Sequence, residues 1–270
     1  MTDTCLRFDD LTLGYHGHPA VHHLTGRILR GTLTAVIGAN GSGKSTLMKG
    51  IAGILKPIGG NCFARCGRLA YLPQQSEIDR SFPARVIDLV SLGFWQKCGL
   101  LGRIGREDRA ALAACLEAVG LAGFEKRPLD SLSGGQMQRA LFARTMLQDA
   151  DLILLDEPFN AIDSRTVDDL LRLIECWIGE GRTVLCVLHD HDLVRERFPQ
   201  TLLLARELVA LGPTSEVLEP ENLLRARQFQ EAWDEDAGWC DAGGNFSTDP
   251  RPADRNAPAA RSLNKVGAHV

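Results

Sequence analysis

The chain has 270 residues, 44% of them hydrophobic and 24% charged, which indicates one globular domain with a sizeable buried core. The formal net charge is −4 with acids and bases interspersed, so the sequence predicts no nucleic-acid partner, which usually requires a basic stripe. No stretch approaches the roughly 18 consecutive apolar residues of a membrane-spanning helix, and residues 1–8 lack the apolar segment of a secretory signal. We therefore expect a cytosolic protein whose eight scattered cysteines are reduced.

The first elements in chain order are predicted strands and a glycine-rich loop. Apolar and polar positions mix over residues 6–13 in a way that fits short strands. Residues 34–37 form a β-branched and apolar run, and this run leads directly into a glycine-rich segment. A strand, a glycine loop and a helix in this order begin a βα unit.

The glycine-rich loop carries a phosphate-binding pattern, because residues 38–45 match G-x-x-x-x-G-K-[ST] at every fixed position. Its glycines allow backbone N–H groups to surround phosphate oxygens at the positive end of the following helix. Lys44 is expected to neutralise the β- and γ-phosphates of ATP, and Ser45 to bind Mg²⁺. The alternative is a chance glycine turn, but the flanking strand and helix favour a nucleotide site. Its candidate residues are Gly38, Ala39, Asn40, Gly41, Ser42, Gly43, Lys44, Ser45 and Thr46.

The region from about residue 82 to 147 shows helical patterning without an intervening strand. Leu112, Cys115, Leu116 and Val119 form one apolar stripe, and Gly120 ends that helix. We interpret the region as a helical subdomain inserted into an α/β core.

Two further strands are predicted at residues 152–155 and 183–188. Continuous apolar runs of this kind are typical of strands covered on both faces, as in a parallel sheet. Apolar residues recur at helical spacing from Val167 to Ile178, and Ser164 can cap the start of this helix. We therefore expect a crossover helix between the two strands.

Two adjacent acids, Asp156 and Glu157, follow the strand at residues 152–155. A carboxylate at the end of a core strand beside a phosphate loop suits a Mg²⁺ ligand, which is the role expected of Asp156. Glu157 is placed to orient or deprotonate an attacking water. An ordinary solvated turn is the alternative, but the phosphate loop favours the catalytic interpretation.

Residues 235–270 are rich in Gly, Ala, Pro, Asp and Arg and contain few large apolar side chains. Such a segment buries too little surface to offset its ordering entropy. We expect a domain at residues 1–234 followed by a disordered tail.

Residues 132–136 read Leu-Ser-Gly-Gly-Gln, which resembles the signature of ATP-binding cassette (ABC) proteins, and matching segments extend to about residue 234. The resemblance implies their P-loop NTPase fold, with a mainly parallel core sheet, an antiparallel N-terminal β part and the inserted helical subdomain. It also implies a homodimer in which two chains pack head to tail. Each signature, formed by Ser133, Gly134, Gly135 and Gln136, then faces the nucleotide of the other chain.

The resemblance assigns four further site residues by position. Tyr15 resembles the aromatic residue that stacks on adenine, and Asp163 resembles the acidic end of the loop that crosses between subunits. Gln74 resembles the glutamine that links Mg²⁺ and water to the transporter contact. His189 resembles the switch histidine that senses the γ-phosphate. His191 is an alternative, although it lengthens the connection from the strand.

The stretch after Gln74 is similar to that of ATPases serving zinc, manganese and iron importers. The matching residues are Asp79, Phe82, Pro83, Val86, Asp88, Val90 and Gly93. Residues 198–206 resemble the AztA zinc type, and this resemblance favours zinc over manganese or iron. Two positions depart from these relatives: Gln75 and Arg80 stand where they often carry Arg and Trp. The implied partners are an integral membrane permease and an external metal-binding protein, with the chain peripheral on the inner face of the membrane.

A histidine cluster follows Tyr15 and comprises His16, His18, His22 and His23. Histidines at such spacings could ligate zinc. The alternative, which we favour, is an exposed polar loop beside the adenine site.

The leading hypothesis is an ATP-hydrolysing subunit of a metal importer. A non-transport cassette ATPase acting on nucleic acid is the main alternative, and it predicts a long heptad insertion, a second cassette or a basic face. An assembly module that binds ATP without hydrolysis predicts loss of Glu157 or His189. The sequence has none of the former features and keeps both residues.

Overall fold

A computed structural model describes residues 3–75, 82–99, 103–160 and 162–231. The positions Asp79, Arg80 and Ala161 lie outside these ranges, as does the tail expected to be disordered. The boundary at residue 234 therefore stays a prediction. Within the described ranges no helix is long and apolar enough to cross a membrane.

The described chain contains nine strands and nine α-helices, and strands and helices alternate from β6 to β8. The strands are β1 (Thr4–Tyr15), β2 (His18–Leu29), β3 (Leu33–Ile37), β4 (Gly59–Ala64), β5 (Leu69–Leu72), β6 (Leu152–Asp156), β7 (Thr183–Val187), β8 (Gln200–Ala205) and β9 (Glu207–Pro213). The helices are α1 (Lys44–Ile51), α2 (Val86–Ser91), α3 (Trp95–Cys98), α4 (Arg106–Ala118), α5 (Gly134–Leu147), α6 (Ser164–Gly179), α7 (His191–Arg197), α8 (Thr214–Val217) and α9 (Pro220–Glu231).

The N-terminal strands form an antiparallel sheet in the order β2-β1-β4. Short strands were expected over residues 6–13, but the structure has one strand of 12 residues, β1. Its register with β2 shifts between Phe8 and Leu11, where Asp10 adopts a left-handed conformation with φ of 51°. A bulge of this kind inserts an extra residue and breaks the alternation of side chains. Because the bulge interrupts the apolar and polar alternation along β1, the sequence of this one strand resembled that of several short strands.

The core sheet has six strands in the order β5-β6-β7-β3-β8-β9, and only the β8–β9 pair is antiparallel. Every residue of β3, β6 and β7 is buried, as their continuous apolar runs predict. The predicted fold class is confirmed: a mainly parallel core sheet with an antiparallel N-terminal β part. Because β6, β7 and β3 are neighbours, the segments that follow them meet at one edge.

Helices cover the core sheet and fill the region between β5 and β6. Within the described part of that region, α2, α4 and α5 pack together, and the only strand-like pairing is an isolated bridge between Arg85 and Pro128. Helix α6 is the predicted crossover helix between β6 and β7. Its Trp177 stacks on Phe142 of α5 with ring centroids 5.8 Å apart, so α5 and α6 are fixed to each other.

The histidine cluster is only partly the exposed loop that we expected: His16 lies in the turn after β1, and His16, His18 and His23 are exposed. His18, His22 and His23 lie on β2, and His22 is only 2% exposed. Burial, together with the neighbouring His23 and Arg206, lowers the pKa of His22 to about 4, so it is neutral at pH 7. Across the described ranges, no three His, Cys, Asp or Glu side chains are placed to hold a metal ion. The zinc-sensing alternative thus gains no support.

Seven cysteines lie in the described ranges, and all of them are free thiols. Cys62 and Cys66 come close to each other, and burial raises the pKa of each thiol to about 11. Both are therefore protonated and of low reactivity at neutral pH.

Candidate nucleotide site

The phosphate loop connects β3 to α1 in a conformation that requires glycine. Gly38, Gly41 and Gly43 all have positive φ, at 153°, 78° and 94°. A Cβ atom on Gly43 would lie 2.5 Å from the carbonyl oxygen of Ala20, and one on Gly38 would collide with the carbonyl oxygen of Leu204. The loop therefore sits closely between β2 and the end of β8.

Arg206, between β8 and β9, holds the phosphate loop through its backbone. Its N–H donates to the carbonyl oxygen of Ser42 at 3.0 Å, and its own carbonyl accepts from the N–H of His22 at 2.7 Å. Arg206 has φ of 62°, which is uncommon for a residue with a side chain. The sequence did not indicate this contact with the loop, because it is made by backbone atoms that any side chain could accompany.

Lys44 is the first residue of α1, and its side chain folds back over the loop. Its Nζ donates to the carbonyl oxygens of Gly38 at 2.8 Å and Ala39 at 2.7 Å. Burial lowers the pKa of Lys44, while the carboxylates of Glu157 and Asp156 oppose this shift. The ammonium group is thus held within the loop where a phosphate would bind.

Ser45 and Asp156 bring oxygen atoms together beside the loop. The Ser45 hydroxyl donates to Asp156 Oδ1 at 3.2 Å, and the Tyr71 hydroxyl donates to Oδ2 at 3.3 Å. Asp156 is fully buried at the end of β6. A hydroxyl and a carboxylate oxygen are ligands that Mg²⁺ prefers, so this pair fits a magnesium ion.

Glu157 lies where the segments after β5, β6 and β7 meet. Its Oε1 is 2.6 Å from His189 Nε2, and its Oε2 accepts from Gln74 Nε2, also at 2.6 Å. Asn160 Nδ2 donates to the same Oε2 at 3.3 Å. Glu157 itself has φ of 49°, a strained conformation of the kind that clusters at active sites. Gln74 and His189, which lie 115 positions apart in the sequence, therefore both contact one carboxylate.

The two candidate switch histidines occupy different places. His189 follows β7 and makes the contact with Glu157, whereas His191 is the first residue of α7. This geometry favours His189 over His191 for a role at the hydrolysis centre.

The signature segment and Asp163 form a second surface. Ser133 caps α5 by accepting from the N–H of Gln136 at 3.2 Å, and the Gln136 side chain accepts from the N–H of Ser133. A Cβ atom on Gly135 would lie 3.7 Å from Asp163 Oδ2. Asp163 caps α6, and hydrogen bonds from Thr166, chiefly from its backbone N–H, lower the pKa of the Asp163 carboxyl group.

The segment after β5 links this second surface to the carboxylate of Glu157. Gln75 Nε2 donates to the carbonyl oxygen of Gly134 at 2.9 Å, and the preceding residue, Gln74, contacts Glu157. Within the described ranges, the hydrogen bonds of the signature run to this segment and within its own turn, not to the phosphate loop. Tyr15, at the end of β1, is 45% exposed, so its ring is accessible for stacking on an adenine ring.

Comparison with known proteins gives one consistent family. The sequence model of the ABC transporter family matches residues 21–160. The chain is 38% identical over 232 residues to the zinc transport system ATP-binding protein TroB of Treponema pallidum, covering 83% of this chain and 87% of TroB. It is 36% identical over 225 residues to the manganese transport system ATP-binding protein MntB of Listeria monocytogenes, covering 81% of this chain and 94% of MntB.

Solved structures give the same answer for the fold. An ABC transporter in an inward-facing conformation, described as of metal-chelate type, superposes with a TM-score of 0.75 at 30% identity, covering 84% of this chain and 90% of the other. An ATP-binding cassette in its ADP conformation superposes with a TM-score of 0.70 at 20% identity, covering 84% of this chain and 99% of the other.

The core sheet and its glycine loop define an ATP-binding protein of the P-loop class. Within that class the chain belongs to the ABC transporter family, as the matches to its sequence model and to full-length relatives show. It is an ATP-binding subunit of a transport system, with ATP hydrolysis coupled to transport.

Proposed function

We propose that this subunit powers a membrane importer of a divalent metal ion, with zinc as the first candidate. One observation carries the proposal: identity of 36–38% to ATP-binding proteins of zinc and manganese transport systems, over more than 80% of both chains. The proposed partners are an integral membrane permease and an external metal-binding protein. In such a system the subunit lies on the inner face of the membrane and needs no nucleic acid.

The proposed site binds ATP between Tyr15, which stacks on the adenine, and the loop of residues 38–46, which surrounds the phosphates. Ser45 and Asp156 supply oxygen ligands to Mg²⁺, and the side-chain oxygen of Gln74 is the third proposed ligand. When bound with ATP, Mg²⁺ neutralises negative charge on the β- and γ-phosphate oxygens. The contact between Ser45 and Asp156 supports this assignment.

Glu157 is the proposed general base, which orients the attacking water and accepts its proton. His189 and Gln74 hold the two oxygens of this carboxylate at 2.6 Å each and thereby fix its direction. On ATP binding, His189 senses the γ-phosphate. The strained backbone of Glu157 is consistent with a position fixed by function.

The proposed active form is a homodimer with two shared sites. The signature, Ser133–Gln136, makes its contacts away from the phosphate loop of its own chain, so it is available to the nucleotide of a second chain. Its exposed turn at the start of α5 presents backbone N–H groups to an anion. Asp163 lies on the same surface and faces the second chain as well.

The function can be tested by copurifying the chain with its membrane permease and reconstituting both in vesicles with the external metal-binding protein. We expect ATP turnover to rise when that protein is loaded with Zn²⁺, and to rise less with Mn²⁺ or Fe²⁺. The same assembly with Glu157→Gln is the control and should stay at background. Stronger stimulation by Mn²⁺ would correct the metal, and no stimulation by any of the three would refute the importer.

A further inference from the structure

A cavity of about 340 Å³ adjoins the first half of the phosphate loop. It is lined by residues 38–42 of the loop, by the end of β8, and by side chains of α7 and α9. Leu203, Ala205, Leu223 and Ala226 give it apolar walls. The cavity also reaches His189, which contacts Glu157, so it opens onto the hydrolysis end of the nucleotide site.

The charged lining of this cavity has one sign. Arg206 and Arg227 line it beside His189 and His191, and no acidic residue of the described ranges does. Guanidinium groups stay protonated at every physiological pH. Together with the loop N–H groups, these side chains make a positive environment suited to an anion.

Arg227 lies on α9 and is exposed at the edge of the cavity. Leu223, one helical turn before it, packs on the core and lines the same cavity, so α9 brings Arg227 next to the phosphate loop. Arg227 makes no ion pair with any described residue, unlike Arg139 with Asp169 or Arg182 with Asp149. Because Arg227 lines the cavity beside the phosphate loop and has no acidic partner among the described residues, its guanidinium group is available to an anion bound there.

We propose that Arg227 contacts the terminal phosphate of ATP bound at the phosphate loop, as a further nucleotide-binding residue outside every sequence motif. The proposal rests on the proposed ATP site. Because the cavity joins the loop to His189, its anion is the phosphate nearest the hydrolysis centre. ADP lacks this phosphate, so Arg227 favours ATP over ADP.

The test compares Arg227→Glu, Arg227→Lys and wild type in the full-length chain. Arg225→Glu is the matched control, because Arg225 is exposed on the same helix but does not line the cavity. Dissociation constants for a nonhydrolysable ATP analogue and for ADP, both with Mg²⁺, are measured at a dilution where light scattering shows monomers. Circular dichroism checks that each variant is folded.

We expect Arg227→Glu to raise the dissociation constant of the ATP analogue about tenfold, equivalent to about 1.4 kcal/mol. The dissociation constant of ADP should change less than about twofold. Arg227→Lys should keep part of the affinity, and Arg225→Glu should match wild type. Unchanged ATP affinity, or equal weakening of ADP, would overturn the proposal. Weaker pairing of chains with unchanged monomer affinity would also overturn it, since Arg227 would then contact a second copy. The proposed ATP site fails separately if wild type binds neither nucleotide.

Discussion

The carboxylate of Glu157 is held from both sides by residues that follow neighbouring strands. The contacts to His189 and Gln74 are short, at 2.6 Å, and the backbone of Glu157 is left-handed. Such a backbone costs roughly 1–2 kcal/mol for a residue with a side chain. The surrounding hydrogen bonds therefore maintain a conformation that an isolated turn would not adopt.

Replacing Glu157 with Gln keeps the shape of the side chain and removes its capacity to accept a proton. ATP turnover should fall by roughly 10² to 10⁴, the usual contribution of a positioned base, while Mg-ATP binding should persist. Steady-state ATPase rates and nucleotide affinity measure the two effects. Asp168→Asn is the control, because Asp168 of α6 is an exposed acid that lines one groove together with Glu157. Near-normal turnover in Glu157→Gln would transfer the base role to another group.

At the scale of elements, the phosphate loop is restrained on two sides. Ala20 of β2 approaches Gly43, and Leu204 of β8 approaches Gly38. The backbone of Arg206 bonds both the loop and β2. The loop is thus positioned by strands from both sheets before any nucleotide binds.

Gly43→Ala should lower the free energy of unfolding by more than about 1 kcal/mol, because an alanine at positive φ is strained. The added Cβ would also clash with Ala20. Gly53→Ala is the matched control: Gly53 has φ of 72°, but nothing lies within 4 Å of its added Cβ. Urea denaturation without nucleotide measures both. The close approach of β2 would be refuted if the two variants lost the same stability.

Elements whose signals are local could be predicted from the sequence. The strands β3, β6 and β7 and the helix α6 carry continuous or 3.6-periodic apolar patterns, and the structure has them within a few residues of the predicted bounds. The burial of His22 was missed, because it depends on where β2 packs rather than on any local pattern. The β8–β9 pairing and α9 were missed for the same reason.

The site shows the same division. Motifs indicated the separate candidate residues, from the phosphate loop to Glu157 and His189, and their roles stay predictions. Their mutual contacts depend on the strand order β5-β6-β7-β3, which no local segment encodes. The backbone contacts of Arg206 with the loop and the place of Arg227 beside it became visible only through the structure.

For the whole molecule, one chain carries two surfaces suited to phosphate: the loop at α1 and the signature at α5. If each site combines the loop of one chain with the signature of another, damage to both can be complemented. Mixing a Lys44→Ala chain with a Ser133→Arg chain forms one interface with both surfaces damaged and one with both intact. The mixture should therefore pair with ATP more strongly than either variant alone and recover part of the turnover, as measured by light scattering and ATPase assays.

This recovery should rise with protein concentration, since the mixed pair must form first. Ser131→Arg is the control for Ser133→Arg, since it adds the same arginine nearby without changing the signature. Ser131 is exposed just before the signature, and an arginine there leaves the Ser133 cap in place. Turnover by wild type as a monomer at high dilution, with no gain in the mixture, would show that each chain completes its own site.

Two adjacent residues, Gln74 and Gln75, touch the two halves of this arrangement. Gln74 contacts the base, while Gln75 contacts the first glycine of the signature. In the proposed homodimer, a single displacement of this short segment would therefore alter the proposed base of one site and the signature serving the other. Two ATP molecules bound about the same pair of chains would then be kept in step, because neither site can change its timing without the other.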